Sequence, residues 1–211
     1  MMRKLLLFLL FTGHISAQGQ DADFTDLRNT RESFTRIYDK DIRRDLASFT
    51  LSGIGESINS QPLKKLPITK FGDNYIRFDS AGIQVIIQSG VFFAGKHKMG
   101  YEGKRLVKID NKPYYGNYTK VPQVTISAVT VITGKDTIAI PPAAYGDLYN
   151  PRFTYLEGGV IKSQDAVYLS ADKRNIYIYM LSRDDTGSYE VTWVIQDKKY
   201  LRRVVDFGFT H

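Results

Sequence analysis

Apolar positions recur along this chain with two different periods, and the switch between them falls near residue 48. Before it, Phe24, Leu27, Phe34, Ile37 and Tyr38 return at intervals of three, four and seven, with Arg28, Arg31, Glu32 and Arg36 between them. That spacing predicts an amphipathic helix over about residues 23–47, continued through Ile42 and Leu46, with Asp23 as its cap. Asp39-Lys40-Asp41 marks the place where it would bend or break.

After Ser48 the period falls to two, and branched and aromatic residues gather into short runs bounded by Gly, Asn, Asp or Pro. The runs predict strands at 48–54, 63–71, 75–78, 83–93, 105–109, 124–133, 136–140, 153–156, 160–162 and 167–170. They also predict a closing antiparallel meander of 176–182, 189–196 and 200–207, whose connections are short enough for hairpins. Within the meander, Tyr189, Val191, Trp193 and Ile195 share one face, which places that face in a core with Trp193 as an anchor. Ile176, Ile178 and Met180 oppose Tyr177, Tyr179 and Leu181 on a strand apolar on both sides, the mark of a central strand. Ile83 to Phe93 carries a comparable stripe, and Thr130 to Ile138 reads as a hairpin turning at Gly134-Lys135. The Pro141–Pro151 segment interrupts the strands and predicts an ordered connection with at most one helical turn. Together these features predict a mainly β fold, an antiparallel β-sandwich-like single domain over 23–211 with one N-terminal amphipathic helix.

The first residues change the picture of where such a domain works. Arg3 and Lys4, the apolar run Leu5 to Phe11 and the small Ala17 after Ile15-Ser16 resemble a signal peptide over 1–17, with 18–22 as a flexible new N-terminus. Export, periplasmic or extracellular, is the expectation, and no later apolar run approaches the length of a transmembrane anchor. Removing the leader leaves 194 of 211 residues and lowers the net charge from +7 to +5. With no cysteine, the chain offers neither disulfides nor thiolate ligands, so stability rests on the packed core.

Candidate chemistry is sparse. His97 and His211 are the only histidines after the leader, too few for a multi-histidine zinc site, and His97 sits in Lys96-His97-Lys98, which reads as a solvated basic loop. No Gly-x-Ser-x-Gly elbow, phosphate-binding loop or dinucleotide fingerprint occurs, so no cofactor, metal site or catalytic set is assigned. The basic pairs Lys104-Arg105, Lys198-Lys199 and Arg202-Arg203 are dispersed, and the last two residues point to opposite faces of a strand; no nucleic-acid partner is expected. Asn117-Tyr118-Thr119 fits the N-glycosylation acceptor pattern of an exposed loop.

Tyrosine is the feature left standing. Of fourteen, Tyr114, Tyr115, Tyr118, Tyr145 and Tyr149 lie in stretches rich in Gly, Asn and Pro, accompanied by Tyr101. Their flat apolar faces and polar tips suit sugar rings or a protein surface. These five are the candidate ligand-binding residues of a non-enzymatic protein that binds a protein partner or glycan of the cell envelope. The rival is a carboxylate-dependent hydrolase of an envelope polymer using Asp184 or Asp185 with Glu190. A third reading is an inhibitor or immunity-type protein that blocks a secreted enzyme with an exposed loop.

Overall fold

The computed structural model describes residues 26–57, 62–184 and 187–209. The expected leader over 1–17, the expected flexible residues 18–22 and the expected helix cap Asp23 lie outside these residues. In chain order the helix is α1 (Lys40–Ala47) and the strands are β1 (Lys64–Lys65), β2 (Ile68–Gly72), β3 (Tyr75–Ser80), β4 (Ile83–Val91), β5 (Met99–Glu102), β6 (Arg105–Ile109), β7 (Val124–Thr133), β8 (Asp136–Ala139), β9 (Tyr155–Glu157), β10 (Val160–Lys162), β11 (Ala166–Leu169), β12 (Asn175–Ser182), β13 (Tyr189–Gln196) and β14 (Lys199–Phe207). All pairings among them are antiparallel.

Two five-stranded sheets, in the orders β1-β11-β12-β13-β14 and β2-β3-β4-β7-β8, share one hydrophobic core. The predicted alternation supplies it. Ile176, Ile178 and Met180 of β12 and Tyr189, Val191, Trp193 and Ile195 of β13 pack with Ile76 and Phe78 of β3, Val85 and Ile87 of β4, and Val129 and Val131 of β7. Trp193 is fully buried, and its indole N–H donates to the carbonyl of Ala144 at 2.7 Å. That bond fastens the 141–151 connection, which contains a single 3₁₀ turn at Pro142–Ala144, to the centre of the sandwich. The chain crosses from one sheet to the other at Leu66-Pro67, because Pro67 lacks the N–H that would continue the ladder. The 63–71 run is therefore two strands rather than one.

The N-terminal helix is shorter than the pattern predicts. Two 3₁₀ turns, Thr30–Glu32 and Phe34–Arg36, end in extended Ser33 and Ile37, and α1 begins only at Lys40. Asp39 is the cause at the last junction: extended itself, its carboxylate accepts from the amides of Asp41 and Ile42, so the residue expected to break a helix starts one. Phe34 is also drawn away from helical pairing, donating its amide to Asp206 of β14 at 2.8 Å. The run expected as a strand at 48–54 is likewise irregular and leads into a 3₁₀ turn at Ile54–Glu56.

This N-terminal layer covers the outer face of the β1-β11-β12-β13-β14 sheet. Phe34, Ile37, Ile42, Leu46 and Ala47 pack on Tyr177, Val194 and Val204. Polar groups reinforce the contact: Tyr177 donates to Asp45 at 2.7 Å, and Glu190 accepts from the amides of Leu51 and Ser52 at 2.8 Å each. Strand β13 is consequently buried on both faces, although its alternation of Glu190 and Thr192 with apolar residues reads as one buried face and one open.

Candidate functional site

A third, smaller core forms where the tyrosine-bearing loops meet. Tyr114, Tyr118 and Tyr149 pack there with Phe92, Leu106 and Ile109 against the β5-β6 hairpin. Backbone bonds tie the loops together: the Tyr115 amide donates to Asp147, and the Tyr149 amide donates to Tyr115. The rings meet edge to face, with Tyr149 5.0 Å from Phe92 and 5.6 Å from Tyr114.

Four of the five candidate tyrosines, Tyr114, Tyr115, Tyr118 and Tyr149, are therefore buried, and Tyr145 is half-buried against the central core. Hydroxyl bonds explain the arrangement. Tyr114 donates to the carbonyls of Leu106 (3.1 Å) and Asn117 (2.7 Å), Tyr115 to that of Asn29 (3.0 Å), and Tyr118 to the Asp26 carboxylate (3.3 Å). Burial pushes the phenols of Tyr114, Tyr115 and Tyr118 well above their usual range, and it takes that of Tyr149 up to about 12.

Beside this core lies a cleft of about 480 Å3, lined in part by Asn29, His97, Asp110, Lys112, Tyr149 and Arg203. One wall carries a histidine–aspartate pair, where Lys96-His97-Lys98 by sequence alone predicts a solvated basic loop. His97 Nδ1 lies 2.7 Å from Asp110 Oδ2, while Asp110 Oδ1 accepts the Lys98 amide at 2.9 Å. Asp110 and Asn111 both adopt left-handed backbone (φ 52° and 62°), making the tight turn that joins Ile109 to Lys112 and aims the carboxylate back at His97. The imidazole stacks on Phe92 at 4.5 Å. The His97 hydrogen bond, followed by that of the Lys98 amide, holds the Asp110 carboxyl below its ordinary value.

The opposite wall is built on Arg203 of β14. Its guanidinium is buried and donates to both oxygens of Asp147 (2.5 and 2.8 Å) and to Glu32 (2.6 Å). Burial alone would lower the basicity of Arg203, but the two carboxylates outweigh it and keep the group charged. Groups on the cleft keep hydrogen-bonding capacity, among them His97 Nε2 and the Tyr149 hydroxyl, neither of which bonds another described residue. The cleft thus offers a ring nitrogen, a phenol, carboxylates and cations around a partly aromatic floor. It can hold a polar ligand by directional bonds, with the histidine tautomer set by Asp110.

The carboxylates of the hydrolase reading serve elsewhere. Glu190 is buried under the 50–53 loop, where it takes bonds from Leu51, Ser52 and Tyr179. Asp184 accepts from the Asn117 side chain, and Asp185 lies outside the described residues. Asn117 is itself buried, with its Oδ1 accepting from Thr119 and Lys120, so its amide is not presented as an exposed glycosylation loop would require. Gly187 packs directly on the Gly116 carbonyl, a closeness that admits no Cβ and joins the β12-β13 connection to the tyrosine loop. Among the described residues no group of His, Asp and Glu has the arrangement of a metal site, and no helix is long and apolar enough to cross a membrane. A family-model scan, a search of curated proteins and a search of solved structures each returned no match.

Proposed function

We propose that this chain is an exported, non-enzymatic binding protein whose cleft takes a polyhydroxylated ligand, an envelope glycan in the reading favoured here. The observation that carries the proposal is the convergence of His97, Asp110, Lys112, Tyr149 and the Arg203–Asp147 pair on one concave surface. Sugars are recognised by planar polar side chains that both donate and accept, set beside aromatic carbon. The tyrosines contribute mainly through scaffolding. Their buried rings hold the cleft walls, and of the three in the small third core Tyr149 alone keeps a hydroxyl without a partner among the described residues.

Titration of the protein with soluble peptidoglycan fragments and neutral oligosaccharides, followed by calorimetry and amide shifts, tests this reading. Binding should weaken roughly three- to tenfold in each of His97→Ala and Tyr149→Phe, the cost of one lost hydrogen bond of about 0.5–1.5 kcal/mol. Thermal stability should stay close to that of the parent, because neither variant empties a core position. Absence of binding to every glycan offered, or affinity indifferent to both substitutions, would overturn it. Export rests on the leader-like residues 1–17, and an intact mass beginning at Gln18 in the secreted fraction is its check.

A further inference from the structure

The segment that precedes α1 delivers one side chain into a site of a different kind. The Arg28 guanidinium is almost wholly enclosed, with its carbon 3.9 Å from the ring centre of Phe207, 4.6 Å from that of Tyr118 and 5.9 Å from that of Tyr115. Its counter-ion is local. Asp26, two residues earlier, accepts from the Arg28 amide, Nε and Nη2, the last at 2.6 Å. The cation and its carboxylate therefore arrive together on one short segment, and the receiving surface is aromatic.

The backbone beneath these rings is held by elements other than the delivering segment, which the Tyr115 and Tyr118 hydroxyls also bond at Asn29 and Asp26. Phe207 is paired with Tyr189 at the end of β14. The Tyr118 carbonyl accepts the Leu106 amide of β6, and Tyr115 is bonded through its backbone to Asp147 and Tyr149. Removing the arginine side chain leaves these pairings intact, with three rings facing a vacated space. Faces of aromatic rings attract cations by their quadrupole, most strongly when water is excluded, and a planar guanidinium also stacks.

We propose that Tyr115, Tyr118 and Phe207 form a guanidinium-binding cage, filled in this chain by its own Arg28, that accepts an arginine-type cation from solution when that side chain is absent. Asp26 remains in place to pair with the incoming cation, so the favoured ligand is a small guanidinium compound or the arginine of a peptide. In the parent chain the tethered Arg28 competes at an effective concentration in the millimolar range, which masks the site from dilute ligands. The cage shares Tyr115 with the cleft, whose Arg203 guanidinium also lies 5.9 Å from the centre of that ring, but its test does not use a glycan.

The experiment measures thermal stability of the full chain carrying Arg28→Ala while methylguanidinium, methylammonium or urea is added at millimolar levels. A saturable rise in Tm with methylguanidinium is expected, with a smaller one for methylammonium and none for urea, the neutral analogue of similar shape. The parent should need about ten times more methylguanidinium for the same rise, and Arg28→Ala combined with Phe207→Ala should show none. An equal response of parent and Arg28→Ala, or a response to urea matching that to methylguanidinium, overturns the proposal. If Arg28→Ala does not fold, methylguanidinium present during refolding should restore soluble protein where sodium chloride at the same concentration does not. Failure to restore it overturns the proposal as well.

Discussion

Glu190 is the residue whose replacement separates a structural from a catalytic account most sharply. Its carboxylate is buried on the outer face of β13 and receives four hydrogen bonds: from the amides of Leu51 and Ser52 at 2.8 Å each, the Ser52 hydroxyl at 2.6 Å and the Tyr179 hydroxyl at 2.9 Å. Glu190→Ala orphans the buried Tyr179 hydroxyl, at about 1–3 kcal/mol, and frees three donors in a part-buried loop that water can partly reach. Against this stand the desolvation of the carboxylate, which is no longer incurred, and relief of its repulsion with Asp206, whose own carboxyl is held high first by burial. A net loss of about 3 kcal/mol follows, a large share of the 5–15 kcal/mol typical of a domain. Glu190→Gln keeps one acceptor and turns an N–H2 toward the remaining donors, so about 2 kcal/mol should be lost. Urea unfolding followed by the fluorescence of Trp193, the single tryptophan, measures both. A double-mutant cycle with Tyr179→Phe should return a coupling of about 1 kcal/mol. Stability of Glu190→Ala within 1 kcal/mol of the parent, or no coupling to Tyr179, would refute the view that this carboxylate clamps the N-terminal layer.

Two further outcomes follow from single buried positions. Asp165 is fully enclosed, with Oδ1 accepting the Leu181 amide at 3.2 Å and Oδ2 without a partner among the described residues; burial lifts its carboxyl well above the ordinary 3.8, opposed by the Leu181 bond and Lys65. Because the folded state holds this proton more tightly than the unfolded chain, Asp165 makes stability fall as pH rises from near 3.8 to its raised value. Asp165→Asn should abolish that component and be more stable at neutral pH by at least about 1 kcal/mol; superimposable pH profiles of variant and parent in urea unfolding would refute this. Gly187→Ala would force a methyl into the Gly116 carbonyl, and at least 2 kcal/mol of destabilisation is expected, about the upper range for overpacking. A thermal midpoint unchanged by that substitution would show the close approach to be dispensable.

The sandwich was readable because its strands carry the period that burial demands. Trp193, Val191 and Ile195 alternate so strictly that their shared face needs no tertiary information, and the β7 run from Val124 to Thr133 ends where Gly134 turns with φ 61°. The N-terminal layer was less readable for a physical reason. Its apolar residues recur at helical intervals in both the expected long helix and the observed 3₁₀ turns. What decides between them is the bond from the Phe34 amide to Asp206, across 172 positions of sequence. Likewise, Glu190 reads as solvent-facing until the Leu51 and Ser52 amides are brought over it.

The tyrosine loops have a second physical role besides the one their composition suggests. Tyrosines in Gly-, Asn- and Pro-rich stretches suggest exposed binding surfaces, yet such stretches also contain carbonyls with no strand to pair with. A buried carbonyl needs a donor. Tyr114 supplies one to Leu106 and Asn117, Tyr115 to Asn29, and Tyr189 reaches Tyr149 from the sheet at 3.0 Å. The same ring fills the space beneath the loop, so one residue type both satisfies and packs an irregular backbone. The cleft beside them depends on a different signal, Asp110-Asn111 before Lys112, the residue pair that accepts two consecutive left-handed conformations. Read as a turn, that pair explains how Asp110 can face His97 from thirteen residues away; read only as charge, Lys96 and Lys98 hide it. The cleft is thus assembled from turns and caps, whose residues carry no periodicity for a sequence pattern to display.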